Sequence, residues 1–89
     1  MNTLAIKPLA SKVIFSSETM TVLLLDGRTL SVPLVFFPRL LKASAKQRDE
    51  VVISGGGIGL HWDELDEDIS VEHLMMGYVA HYDENRLAA

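Results

Sequence analysis

The sequence predicts a small α+β domain: a mostly antiparallel sheet of about four or five strands with two or three short helices packed on it. Three observations predict it. Two β-rich runs flank Asp26-Gly27, a pair suited to a tight hairpin turn. A second alternating run, Ile58, Leu60 and Trp62, follows three consecutive glycines. Between and after these runs, the residue types that start and stop helices recur at short spacing.

Residues 1–10 show no clean period and contain Pro8, which predicts a lead-in of low structure ahead of a single domain over 11–77. Residues 11–16 alternate, with Val13 and Phe15 on one side and Lys12 and Ser16 on the other, as in a strand. Over 21–32 a two-residue type I′ turn at Asp26-Gly27 is expected, because Asp-Gly readily adopts the positive φ that such a turn requires. That turn sets Leu25 opposite Arg28, Leu23 opposite Leu30 and Thr21 opposite Val32. Met20, Val22 and Leu24 then share the other face with Thr29 and Ser31, so the first strand is apolar on both sides while its partner is not. Such a second apolar face calls for a cover or another chain.

Pro33 ends the hairpin because it has no N–H for the ladder. Pro38 suits the first position of a helix whose apolar face is Phe37, Leu40 and Leu41. Ser44-Ala45-Lys46-Gln47 has capping-box form and predicts a second short helix. Val51-Val52-Ile53 reads as a strand, Gly55-Gly56-Gly57 as a turn and 58–62 as the returning strand, with His61 pointing away from Trp62. Ser70 is the expected N-cap of a last helix, with Glu72 in its first turn and Gly77 as its stop. Residues 78–89 are expected to be a tail.

The order and spacing of several short motifs identify a family. They are Asp26-Gly27-Arg28, Pro33, Phe37-Pro38-Arg39-Leu40, Gln47-Arg48, Gly57-Ile58-Gly59-Leu60-His61-Trp62 and Leu65-Asp66-Glu67-Asp68-Ile69-Ser70-Val71. Over residues 12–77 the chain resembles the bacterial family called domain of unknown function 2442. The resemblance implies a small α+β fold in a bacterial or phage setting and no established activity. In longer relatives a similar domain precedes a helix-turn-helix, and stand-alone relatives are often encoded beside another small protein, an arrangement similar to toxin–antitoxin pairs. The chain departs from the family pattern at Asp63, where relatives often carry proline.

The totals narrow the function classes. The chain has 89 residues, no cysteine and a net charge of −4. Without cysteine there is no disulfide frame, cysteine zinc site or cysteine nucleophile, and a reducing cytoplasm is the expected setting. The negative balance argues against direct nucleic-acid binding, which needs clustered Lys and Arg. No apolar run approaches the roughly 20 residues that span a bilayer, and no signal-peptide pattern opens the chain.

Four groups of residues invite a functional reading. The acids Asp63, Glu64, Asp66, Glu67 and Asp68 with His61 have donor types that suit a divalent metal, or they form a solvated turn favouring a helix start. Gly55-Gly56-Gly57-Ile58-Gly59 has the composition of a phosphate cradle, but a strand pattern follows it instead of a helix, which favours a hairpin turn. His61, His73 and His81 lack metal-protease spacing, and Ser54 lacks an elbow sequence and a base, so nucleophilic catalysis is not expected. Phe36, Phe37, Pro38, Arg39 and Trp62 are interface-type residues or core, with Arg39 pairing to Asp66 or Asp68.

The expectation is therefore a non-enzymatic protein-interaction module, antitoxin-like or regulatory, with no cofactor or metal. Its partner is another small protein, such as the product of an adjacent gene, or a second copy. Phe37, Arg39, Arg48, His61, Trp62, Asp66 and Asp68 are the expected partner-binding residues. A metal-binding protein or metal-dependent enzyme built on His61 and the acids is the alternative.

Overall fold

A computed structural model describes residues 7–77. Residues 1–6 of the lead-in expected over 1–10, the tail over 78–89 and His81 lie outside the described residues. Among the described residues, six strands form two antiparallel three-stranded sheets, where the sequence pattern suggested four or five strands. The first sheet is β1 (Ala10–Phe15), β2 (Thr19–Leu24) and β3 (Thr29–Pro33), in that spatial order. The second is β4 (Val52–Ser54), β5 (Gly59–Trp62) and β6 (Glu67–Ser70), again in order. A 3-10 turn over Leu34–Phe36 leads into α1 (Pro38–Leu41) and α2 (Ala45–Asp49), which connect the sheets, and α3 (Val71–Met75) follows β6. One core joins both sheets and the helices, with Met20, Val22, Leu34, Phe37, Leu40, Leu60, Trp62 and Val71 at its centre.

The first hairpin corrects the expected register by one residue. Val22 faces Leu30 and Met20 faces Val32, and Leu24 N–H donates to the Arg28 carbonyl at 2.8 Å. The loop is thus Leu25-Asp26-Gly27. A type I′ turn needs positive φ at both central residues, and here only Gly27 has it, at 95°. Asp26 turns the chain with its side chain instead. Its carboxylate accepts the Arg28 backbone N–H at 3.0 Å and the Arg28 guanidinium at 2.8 Å. These contacts, the backbone one foremost, hold the Asp26 carboxyl below the usual aspartate value.

Because side chains alternate with period two, that one-residue slip exchanges the faces of β3. Leu30 and Val32 join Met20, Val22 and Leu24 on the core side, where Val13 and Phe15 of β1 also pack. The outer face carries Thr21, Leu23, Thr29 and Ser31, with Thr21 Oγ1 and Ser31 Oγ 3.3 Å apart. β2 therefore still carries apolar residues on both sides, Met20, Val22 and Leu24 inward and Leu23 outward, but Leu30 and Val32 of β3 now belong to the inward set.

The local helix signals hold. Ser44 accepts from Gln47 N–H and the Gln47 side chain accepts from Ser44 N–H, completing the capping box. Pro38 opens α1. Ser70 caps α3 by accepting from His73 N–H, Glu72 sits in the first turn, and Gly77, at φ 94°, closes it. Leu41 differs from expectation. A helix of one turn has no room for a continued stripe, so Phe37 and Leu40 are buried while Leu41 is exposed.

The sheets meet at the triple glycine. Ala10 N–H donates to the Gly57 carbonyl and Leu25 N–H donates to the Leu9 carbonyl, both at 2.8 Å, so residues 9–10 stitch the two hairpin turns together. Gly57 has φ 113°, and a Cβ there would lie 2.7 Å from the Ala10 carbonyl oxygen. Gly56 also has positive φ, but nothing lies within 4 Å of its Cβ position. Gly57→Ala is expected to lose about 3 kcal/mol or more and Gly56→Ala only about 1 kcal/mol. Urea unfolding of both variants checks the difference; equal losses would contradict the close approach.

Candidate functional site: the acidic turn

The second sheet sorts its side chains by face. In β5 and β6, Leu60 lies opposite Ile69 and Trp62 opposite Glu67, and all four are buried. His61 lies opposite Asp68 on the outer face. The sequence pattern missed β6, because a strand reading Glu-Asp-Ile-Ser hides its alternation when the inward residue is charged.

Glu67 is tolerated inside because Arg39 reaches it from α1. Arg39 Nη1 lies 3.5 Å from Glu67 Oε1 and donates to the Asp66 carbonyl at 2.5 Å. The expected pairing of Arg39 with the Asp66 or Asp68 carboxylate is thus replaced by Glu67 and a backbone oxygen. Asp66 presents that oxygen from a left-handed conformation, φ 52°, which aspartate adopts more readily than most residues. Its N–H donates to the Asp63 carbonyl at 3.2 Å, closing the turn over 63–66.

His61 holds the same turn from the outer face. Its Nδ1 lies 2.5 Å from Asp68 Oδ1 and its Nε2 2.5 Å from Asp63 Oδ1. Only the imidazolium has a proton on each nitrogen, so only that form donates to both carboxylates. The bond to Asp68, and after it the bond to Asp63, raises the histidine above its usual value, against a smaller opposing effect of burial. The Asp63 and Asp68 side chains remain 90% and 75% exposed. The two carboxylates grip opposite edges of one ring, so the three groups do not converge on a single point. Among the described residues, no group of three or more His, Cys, Asp or Glu is placed to hold a metal ion.

The seven sequence-predicted residues divide into two sets. Phe37, Arg48 and Trp62 are buried. Arg48 Nε and Nη2 donate to the Leu40 and Leu41 carbonyls at 2.8 Å, satisfying the end of α1, and the Trp62 indole N–H donates to the Arg48 carbonyl at 3.0 Å. Arg39, His61, Asp66 and Asp68 come together on the surface around the turn. Asp63 joins them as the second partner of His61. It stands two residues after His61, where a strand ending brings side chains back to the same face, and that spacing was the available signal.

Beside the turn lies a depression of about 170 Å³ lined by Gln47, Glu50, Trp62, Asp63, Glu64 and Leu65. Around α1 the surface exposes apolar side chains beside Arg39 and Lys42: Val35 is 63% exposed, and Phe36 and Leu41 are also exposed. The glycine run 55–57 connects β4 to β5 and is followed by a strand, the hairpin geometry expected over a phosphate cradle.

A family model described as "Protein of unknown function (DUF2442)" matches residues 10–80. No curated protein matches the chain. Two solved structures are similar. A protein of unknown function from Rhodospirillum rubrum ATCC 11170 is 35% identical over 88% of this chain and 96% of its own, with a TM-score of 0.75. An uncharacterized protein from Chromobacterium violaceum is 24% identical over 91% of this chain and 79% of its own, with a TM-score of 0.73, a likeness of fold. No helix among the described residues is long and apolar enough to cross a membrane.

Replacing Arg39 by Ala removes the cation beside a buried carboxylate, and a loss of about 1–3 kcal/mol is expected. Asp68→Asn, at an exposed pair, is expected to change stability by about 1 kcal/mol or less. Denaturant titration at neutral pH checks the order; an Arg39→Ala variant as stable as the parent would contradict the clasp.

Proposed function

This chain belongs to the DUF2442 family of proteins of unknown function, and we propose that it is a binding module whose acidic turn docks on a basic surface of a small partner protein. The observation that carries the reading is that the turn is held from both ends. His61 orients Asp63 and Asp68, and Arg39 fixes the Asp66 backbone, while the two aspartate carboxylates stay in solvent. Carboxylates fixed before binding lose little freedom when a cation arrives. The net charge of −4 extends the same field and steers a basic partner toward the face.

Away from this polar face, Val35 and Leu41 line a separate apolar depression with Glu18, Thr19 and Pro33. The helix that carries Arg39 to the turn also carries Leu41, and the 3-10 turn before it exposes Val35 and Phe36. In the narrower form of the proposal, the partner is the product of an adjacent gene, and this chain masks that partner's basic active site or RNA-binding surface as the neutralising half of the pair.

The test is co-expression with the adjacent gene product, with the complex weighed by native mass spectrometry. A defined complex is expected. The double substitution Asp63→Lys with Asp68→Lys should weaken it at least about tenfold and flatten its salt dependence, with circular dichroism unchanged. A complex of unaltered affinity would contradict the role of the turn, and recovery of this chain alone would contradict the adjacent-gene partner.

A further inference from the structure

We propose that His61 is a proton-operated latch on the acidic turn: as the imidazolium it ties Asp63 to β6 through Asp68, and on losing a proton it releases Asp63 and frees the turn over 63–66. The inference concerns the chain alone and does not depend on any partner.

The geometry gives the latch two states. With both nitrogens protonated, Nδ1 donates to Asp68 and Nε2 donates to Asp63. A neutral imidazole keeps one proton. Asp68 is held opposite His61 by the β5–β6 ladder, whereas Asp63 sits beyond the end of β5. The remaining proton therefore stays on Nδ1, and the bare lone pair of Nε2 faces the Asp63 carboxylate, acceptor against acceptor. Asp63 moves away, and the turn keeps the Asp66 N–H to the Asp63 carbonyl, the packing of Leu65 on the core and the Arg39 contact at its far end.

The surroundings favour the closed state. On the β4 side His61 faces Val52, and β4 itself (Val52, Ile53, Ser54) has no titratable group. On the β6 side it faces Asp68, while Glu67 points to the interior. The turn adds Asp63, Glu64 and Asp66, and Glu50 lines the same depression as Asp63. Arg39 contacts the turn at Asp66 and Glu67. The carboxylates bonded to His61 raise its affinity for a proton above the ordinary value of 6.5. A raised folded value means the latch stabilises fully below 6.5 and its contribution is lost as pH rises through the folded value. Opening also adds one negative charge to the face, so a single proton changes both the shape and the charge of the surface.

The experiment is an NMR titration of the labelled full-length chain from about pH 5 to 9, the range over which histidine charge changes. It follows the His61 ring signal and the amide shifts of residues 63–66. The His61 midpoint is expected above 6.5, with the turn amides moving at the same midpoint. Asp63→Asn and Asp68→Asn should each bring the midpoint down, Asp68→Asn further. His61→Gln, which leaves the core untouched, should abolish the pH response of the turn. A midpoint at or below 6.5, turn amides that ignore it, or a persisting response in His61→Gln would overturn the latch.

Discussion

The placement of Trp62 is the constraint on which the rest depends. Its ring is 1% exposed and meets Phe15 edge-on at 6.3 Å, joining the two sheets. Its indole N–H needs a partner once buried, and the Arg48 carbonyl supplies it. Arg48 in turn spends its guanidinium on the open carbonyls at the end of α1. One buried side chain thus links β1, β5, α2 and, through Arg48, α1. In a chain of 89 residues, where little surface is available for burial, such a shared contact replaces what a larger core would provide.

This lock also positions the acidic face. Fixing Trp62 inward fixes His61 outward, because neighbours in a strand point to opposite sides. Docking α1 through Arg48 brings Arg39, on the same helix, over Glu67 and the Asp66 carbonyl. The charged turn is therefore set by the interior beneath it. Surface chemistry and core packing are carried by adjacent residues, 61 beside 62 and 67 beside 68, rather than by separate regions of the chain.

What was legible in the sequence was mostly local. The capping box at Ser44 and Gln47, the N-cap at Ser70, Pro38 at a helix start and the alternation through Trp62 each depend on neighbours within a few residues. The hairpin at Asp26-Gly27 was legible in place but not in register. The Asp26 carboxylate bonds the Arg28 backbone and lengthens the loop by one residue, which exchanges the faces of β3. Strand β6 was hidden by Glu67, whose burial is supported by Arg39, 28 residues earlier in the chain. Likewise nothing near Arg48 announces that its guanidinium closes a different helix. The candidate site was half legible: Arg39, His61, Asp66 and Asp68 do gather at the turn, whereas Phe37, Arg48 and Trp62 lie beneath the surface.

The most direct measurement of the central claim is a double-mutant cycle between Trp62→Phe, which deletes the indole N–H, and Arg48→Met, which deletes the guanidinium. Both act on one lock, so urea unfolding should show the two losses coupled by about 1 kcal/mol or more. Losses that add to within about 0.3–0.5 kcal/mol would mean the two residues act independently, and would contradict the account.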